Sequence, residues 1–80
     1  MNVTRISIRH RSLVLSERFY VTVYFCRIVL YWTNDRGEPR QRAFFHWADS
    51  ERKAYFGACE YMAAWLSGRL EEWARKAEGA

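Results

Sequence analysis

Three features of this 80-residue chain lead one to expect an α+β domain: an antiparallel three-stranded meander with one long C-terminal helix packed on one face, in the order β-β-β-α. Stretches of two-residue alternation and of β-branched and aromatic residues fill positions 1–47. One turn cluster, TNDRGEP at 33–39, separates the most apolar of these stretches from the next. From about residue 50 the apolar spacing becomes that of a helix, and it stays so to about residue 77.

In residues 3–9, Arg5, Ser7 and Arg9 alternate with Thr4, Ile6 and Ile8, which describes a half-buried strand. Residues 10–17 allow two readings. Leu13 and Leu15 alternate with Ser12 and Ser16, so the strand either continues past a bulge or folds back as a hairpin, giving a fourth strand. Residues 18–33 form the second strand. Asn34-Asp35, Gly37 and Pro39 make the turn, and its shortness makes RQRAFFHW at 40–47 an antiparallel neighbour. Asp49 or Ser50 caps the helix, with Glu51 in the first turn, where the dipole favours a negative charge. Tyr55, Cys59, Met62, Leu66, Leu70 and Trp73 share a stripe expected to pack on the sheet, and Gly79 lies just past the helix. With no linker or internal repeat, residues 1–80 are expected to form one domain, strand-rich over 1–47 and helical over about 50–77.

Half the residues are hydrophobic and 18% are aromatic, too apolar for a disordered chain. Lys and Arg number 13 against 9 acids, and the excess is uneven. Residues 1–47 hold eight Arg and three acids, a net +5; residues 48–80 hold five basic residues and six acids, a net −1. Two cysteines without a CxxC pattern suit a reducing compartment. The first twelve residues carry charges throughout and no apolar signal core. The longest apolar run is broken by Arg27 and falls short of the roughly 20 residues a spanning helix needs. A cytoplasmic protein without a membrane span is the expectation.

RFYVTVYFCRIVLYW, residues 18–32, is apolar in both phases of its alternation. Phe19, Val21, Val23 and Phe25 read as core; Tyr20, Thr22, Tyr24 and Cys26 read as the other side. A bulge near Cys26 or Arg27 would then exchange the faces, leaving Ile28, Leu30 and Trp32 on one side and Val29 and Tyr31 on the other. One helix covers one face, so the remaining apolar and aromatic face is expected to meet a partner. The expected contacts are Tyr20, Tyr24, Tyr31 and Trp32 as anchors with Arg27, Arg40 and Arg42 as polar partners, since Tyr, Trp and Arg are enriched at binding hot spots. The alternative is a small barrel closed by the N-terminal segment, which would make the same residues core. On the helix, Gly57, Tyr61, Ala64 and Gly68 share an outer stripe at i, i+4, i+7, i+11, a candidate for self-association into a homodimer; tolerated surface glycine reads equally well.

Catalytic and metal sites find little support. His10, His46, Cys26 and Cys59 lack the close ligand pairs of zinc motifs. A Cys59–His46 nucleophile pair requires a reactive thiol on an apolar helix stripe, where cysteine acts as a small hydrophobe. Glu71–Glu72 sits on the solvated helix tail, and no glycine-rich phosphate loop occurs. No catalytic residue, metal or cofactor is therefore assigned. Nucleic-acid binding is the strongest alternative to a protein partner: Arg5, Arg9, Arg11, Arg40 and Arg42 lie on the sheet half, interleaved with Tyr20, Tyr24, Tyr31 and Trp32.

In size, single α+β domain, lack of catalytic motif and surplus of apolar and aromatic surface, the chain resembles the small phage-encoded anti-CRISPR proteins. No residue motif carries the resemblance, so no functional residue follows from it. It implies a non-catalytic inhibitor acting by steric binding to a larger bacterial host or defence complex, in the host cytoplasm. The pI of about 9.4 separates this chain from inhibitors that mimic DNA with acidic surfaces.

Overall fold

The computed structural model describes residues 2–16, 18 and 21–78, with the side chains of Ser16 and of 70–78 outside the description. Three strands, β1 (Asn2–Ser16), β2 (Val21–Thr33) and β3 (Pro39–Ala48), form one antiparallel sheet in the order β1-β2-β3. A single helix, α1 (Glu51–Glu78), packs against β2 and β3. The β-β-β-α meander is thus the observed fold.

β1 does not turn back over residues 10–16, and Glu17 lies outside the described residues. It pairs with β2 from Asn2–Thr33 to Ser16–Val21, with register shifts only at Val3/Arg5 and Val14/Ser16. The sheet has three strands, with β1 at one edge paired to β2 and not to β3, so no barrel closes among the described residues. The β2–β3 turn is built around Asn34, whose carbonyl accepts from Gly37 N–H at 2.9 Å. Its side-chain Oδ1 accepts from the N–H groups of Arg36 (3.0 Å) and Glu38 (2.9 Å). Gly37 closes the turn at φ +77°, a conformation that costs an L side chain about 1–2 kcal/mol. Ser50 caps α1: its Oγ accepts from Lys53 N–H at 3.2 Å.

The expected exchange of faces near Cys26 does not occur. The ladders on both sides of β2 run without a shift through Phe25, Cys26 and Arg27, so the alternation keeps one phase. Tyr24, Cys26, Ile28, Leu30 and Trp32 all face α1; Val23, Phe25, Arg27, Val29 and Tyr31 all face away. The expected core position of Phe25 and outer position of Cys26 are therefore reversed. Arg27 sets the phase, because an unpaired guanidinium beneath the helix would carry a desolvation cost that the open side avoids.

The core has two layers. Cys26 and Ile28 pack under Ala54 and Ala58, with Tyr24, Ala48, Cys59 and Met62 around them. Leu30, Trp32 and Phe44 pack under Met62, Trp65 and Leu66. Each fully buried aliphatic side chain contributes about 1.5–3 kcal/mol. Cys59, Met62 and Leu66 of the expected stripe pack on the sheet, but the closest approach is made by two alanines beside it. Ala54 and Ala58 are wholly buried while Tyr55 is exposed, because small side chains let the backbone approach and push larger ones to the flank. Leu70 and Trp73 of that stripe lie outside the described side chains.

The outer stripe on α1 is also rearranged. Gly57 faces β3, where a Cβ would run into Cγ and Cδ2 of the His46 ring, and Tyr61 meets the same ring edge-on at 5.7 Å. Gly57 is thus explained within the chain. Ala64 and Gly68 are exposed, and Gly68 has open space around it.

The molecule is long, 61 × 22 × 14 Å, with a radius of gyration of 16.7 Å against roughly 12 Å for a compact chain of this length. Two overhangs account for this. β3 reaches only to Tyr24, so beyond it β1 and β2 continue as a two-stranded arm. At the other end α1 continues past Arg69, the last described side chain over Trp32, for roughly 14 Å.

The two helix glycines should respond oppositely to alanine. Gly57→Ala should destabilise by about 1–3 kcal/mol through overpacking against His46, whereas Gly68→Ala should stabilise by up to ~1 kcal/mol through helix propensity. Urea unfolding of both variants measures the difference; equal effects would contradict the placement of His46.

Candidate functional site

No described element covers the side of the sheet away from α1. Pairing sets its side chains in rows across β1, β2 and β3: Arg5–Tyr31–Gln41, Ser7–Val29–Ala43, Arg9–Arg27–Phe45 and Arg11–Phe25–Trp47. Successive rows lie about 6.7 Å apart, and the face is about 10 Å wide between its outer strands. The small Ser7–Val29–Ala43 row lowers the middle of the face. A depression of about 210 Å³ forms there, lined by Arg5, Ser7, Arg9, Arg27, Val29 and Tyr31. A second, of about 180 Å³, is lined by Arg9, Arg11, Phe25 and Arg27.

Charge on this face has one sign. Arg5, Arg9, Arg11 and Arg27 are exposed, and no Asp or Glu stands among its described residues. Of the acids elsewhere, Glu38 pairs with Arg40 at 3.3 Å and Asp49 with Lys53 at 3.1 Å, and the Glu51 carboxylate lies 3.7 Å from His10 Nδ1. Arg9 and Arg27 stand directly opposite each other on adjacent strands. Like charges in that position destabilise a sheet, and an anion between them relieves the repulsion. Four arginines clustered on one face raise the local concentration of anions around it.

Aromatic rings occupy the other end and edge. Phe25 meets Trp47 at a centroid distance of 4.7 Å and Phe45 at 6.0 Å. Phe45 and Trp47 remain 56% and 50% exposed, a large apolar investment for positions that add little to the core. At the opposite corner the Arg5 guanidinium lies 4.3 Å from the Tyr31 centroid, a cation–π contact that holds both side chains against the sheet.

Of the residues expected at an interface, Arg27 and Tyr31 lie on this face. Tyr24 and Trp32 lie on the helix side, Tyr24 half-buried and Trp32 in the core. Arg40 pairs with Glu38 beside the turn. Arg42 projects on the helix side, 5.3 Å from the Trp65 ring and 5.8 Å from Phe44. Tyr20 lies outside the described residues. Phe25, Phe45 and Trp47 were not anticipated here, although counting in twos from Arg27 across both ladders places all three on the open face.

The chain matches no protein family, no curated protein and no solved structure.

The remaining reactive side chains are dispersed. Burial pushes the Cys26 thiol above its ordinary range, with Cys59 and Glu51 adding to the shift, so Cys26 is a protonated packing residue. Cys59 belongs to the same core cluster. Gly57, which touches His46, stands about 200° around the helix from Cys59, so the two members of the nucleophile pair occupy opposite flanks. His10 forms an exposed contact with Glu51, 6.2 Å from the Tyr55 ring. Among the described residues no three His, Cys, Asp or Glu converge as metal ligands would. No described helix is long and apolar enough to cross a membrane.

Which side of β2 is core is directly testable. Trp32→Ala should cost about 3–5 kcal/mol in urea unfolding, whereas Phe45→Ala should cost about 1 kcal/mol or less. The reverse ranking would mean that the faces are exchanged.

Proposed function

We propose that this chain is a non-catalytic binding module that holds nucleic acid on the open face of its sheet. The observation that carries the reading is the face's charge: four exposed arginines, two of them directly opposed, with no carboxylate among the described residues. A phosphate backbone supplies the missing counter-charge, and phosphate contacts dominate nucleic-acid affinity. The exposed rings beside the arginines supply stacking surface. A protein partner would have to bring a matching acidic patch, and the guanidinium fork suits phosphate as well as carboxylate.

A second reading draws on a different observation. The β1–β2 arm exposes Leu13, Val14, Leu15 and Val21 beyond the body of the domain. Two-stranded hairpins are marginal on their own, and exposed apolar patches mark contact sites. This arm is the part of the molecule that favours steric inhibition of a larger bacterial host or defence complex in the manner of anti-CRISPR proteins. Such a protein would act by inserting the arm into a protein groove.

Fluorescence anisotropy with labelled oligonucleotides across a salt series tests the first reading. Affinity should fall with salt along a log–log line of slope about −0.7 to −0.9 per phosphate neutralised, and Arg9→Ala and Arg27→Ala should each reduce that slope by about one such unit. No binding at low salt would overturn the reading. In that case a complex that survives nuclease treatment and is lost on Leu15→Ser would establish the second.

A further inference from the structure

Resting on the nucleic-acid reading of the open face, we infer that its ligand is single-stranded. The backbone would run along β1, and its bases would lie across β2 onto the rings of β3. The argument is the asymmetry of the face. Its cations stand on β1 (Arg5, Arg9, Arg11) and at the centre (Arg27); on this side β3 contributes Gln41, Ala43, Phe45 and Trp47, with no charge. The arginines of β3, Arg40 and Arg42, alternate to the helix side, where Glu38 and Trp65 engage them.

A duplex groove would demand a different arrangement. Its phosphates rim the groove on both sides, so a sheet laid into it needs cations at both edges and polar groups between them to meet base edges. Here one edge is cationic and the other aromatic. Paired bases keep their ring faces inside the stack, so Phe45 and Trp47 would have nothing to stack on. An unpaired strand offers both parts at once, an anionic backbone on one side and exposed base faces on the other. The rows Arg9–Arg27–Phe45 and Arg11–Phe25–Trp47 run in that order from charge to ring. The depression lined by Arg5, Arg9 and Arg27, with Ser7 and Val29 among them, gives a phosphate a seat between the arginines. Stacking is tolerant of base identity, so the face selects for strandedness more than for sequence.

The test measures binding of the protein to oligo-dT, oligo-U and a mixed-sequence duplex, each about a dozen units long, by anisotropy across a salt series, with affinities compared at its lowest salt concentration. Single strands should bind at least about tenfold tighter than the duplex. Trp47→Ala should weaken single-strand binding by about tenfold or more while leaving the salt slope intact, and Phe45→Ala, at a more exposed ring, should act in the same direction. The two single strands distinguish a DNA from an RNA ligand, and tight binding of either supports the inference. Duplex binding equal to or tighter than single-strand binding would overturn it while leaving the nucleic-acid reading intact. Failure of all three ligands to bind would remove both.

Discussion

The phase of β2 is the constraint on which the rest of the structure depends. This strand is apolar in both of its alternating sets, so hydrophobicity alone does not choose the side that meets the helix. One charge chooses it. With Arg27 turned to water, Cys26, Ile28, Leu30 and Trp32 must turn to α1, and the ladders transmit that choice to both neighbours. β1 then presents Arg5, Arg9 and Arg11 beside Arg27, and β3 presents Phe45 and Trp47 beside Phe25. A one-residue slip of β2 would place the Arg27 guanidinium beneath the helix and remove the core in the same step.

The helix fits this arrangement because its contact surface is small. Ala54, Ala58 and Gly57 bring its backbone close to β2 and β3, over Ile28 and against His46. The helix lies over β2 and β3 and meets β1 at His10, through Glu51 and Tyr55, so Ile6 and Ile8 on the inner side of that strand stay exposed. At the far end the contact widens: Trp65 packs over Trp32 and Phe44, with the Arg69 guanidinium 5.0 Å from the Trp65 ring. Stability is therefore concentrated where three strands and the helix overlap, and the β1–β2 arm extends beyond it.

Much of the fold was legible in the sequence. Period-two alternation in 3–9, the Asn-Asp-Arg-Gly turn and the Ser50 cap with Glu51 each report a local preference, and local preferences survive in this small domain. The facing of β2 was harder to read. Its apolar residues fit either phase, and sixteen residues are long for an unbroken strand, so the sequence suggests a bulge near Arg27 that the ladders do not contain. The candidate site was legible in part. Arg27, Tyr31 and the β1 arginines follow from composition, but the contribution of Phe45 and Trp47 depends on cross-strand register, which only the turn at Asn34 and the two ladders define. Gly57 carried a packing signal that looked like a surface one, because helical spacing does not reveal which strand lies beneath.

The central claim, that one sheet face binds while the other is core, is tested most directly by the tryptophan indole N–H resonances in a ¹⁵N NMR titration with oligo-dT. Trp47 lies on the open face, while Trp32 and Trp65 pack between sheet and helix. The account predicts that the Trp47 indole signal moves, together with the Arg9 and Arg27 side-chain signals, while those of Trp32 and Trp65 stay in place. Shifts centred on Trp32 and Trp65, with Trp47 unmoved, would contradict it.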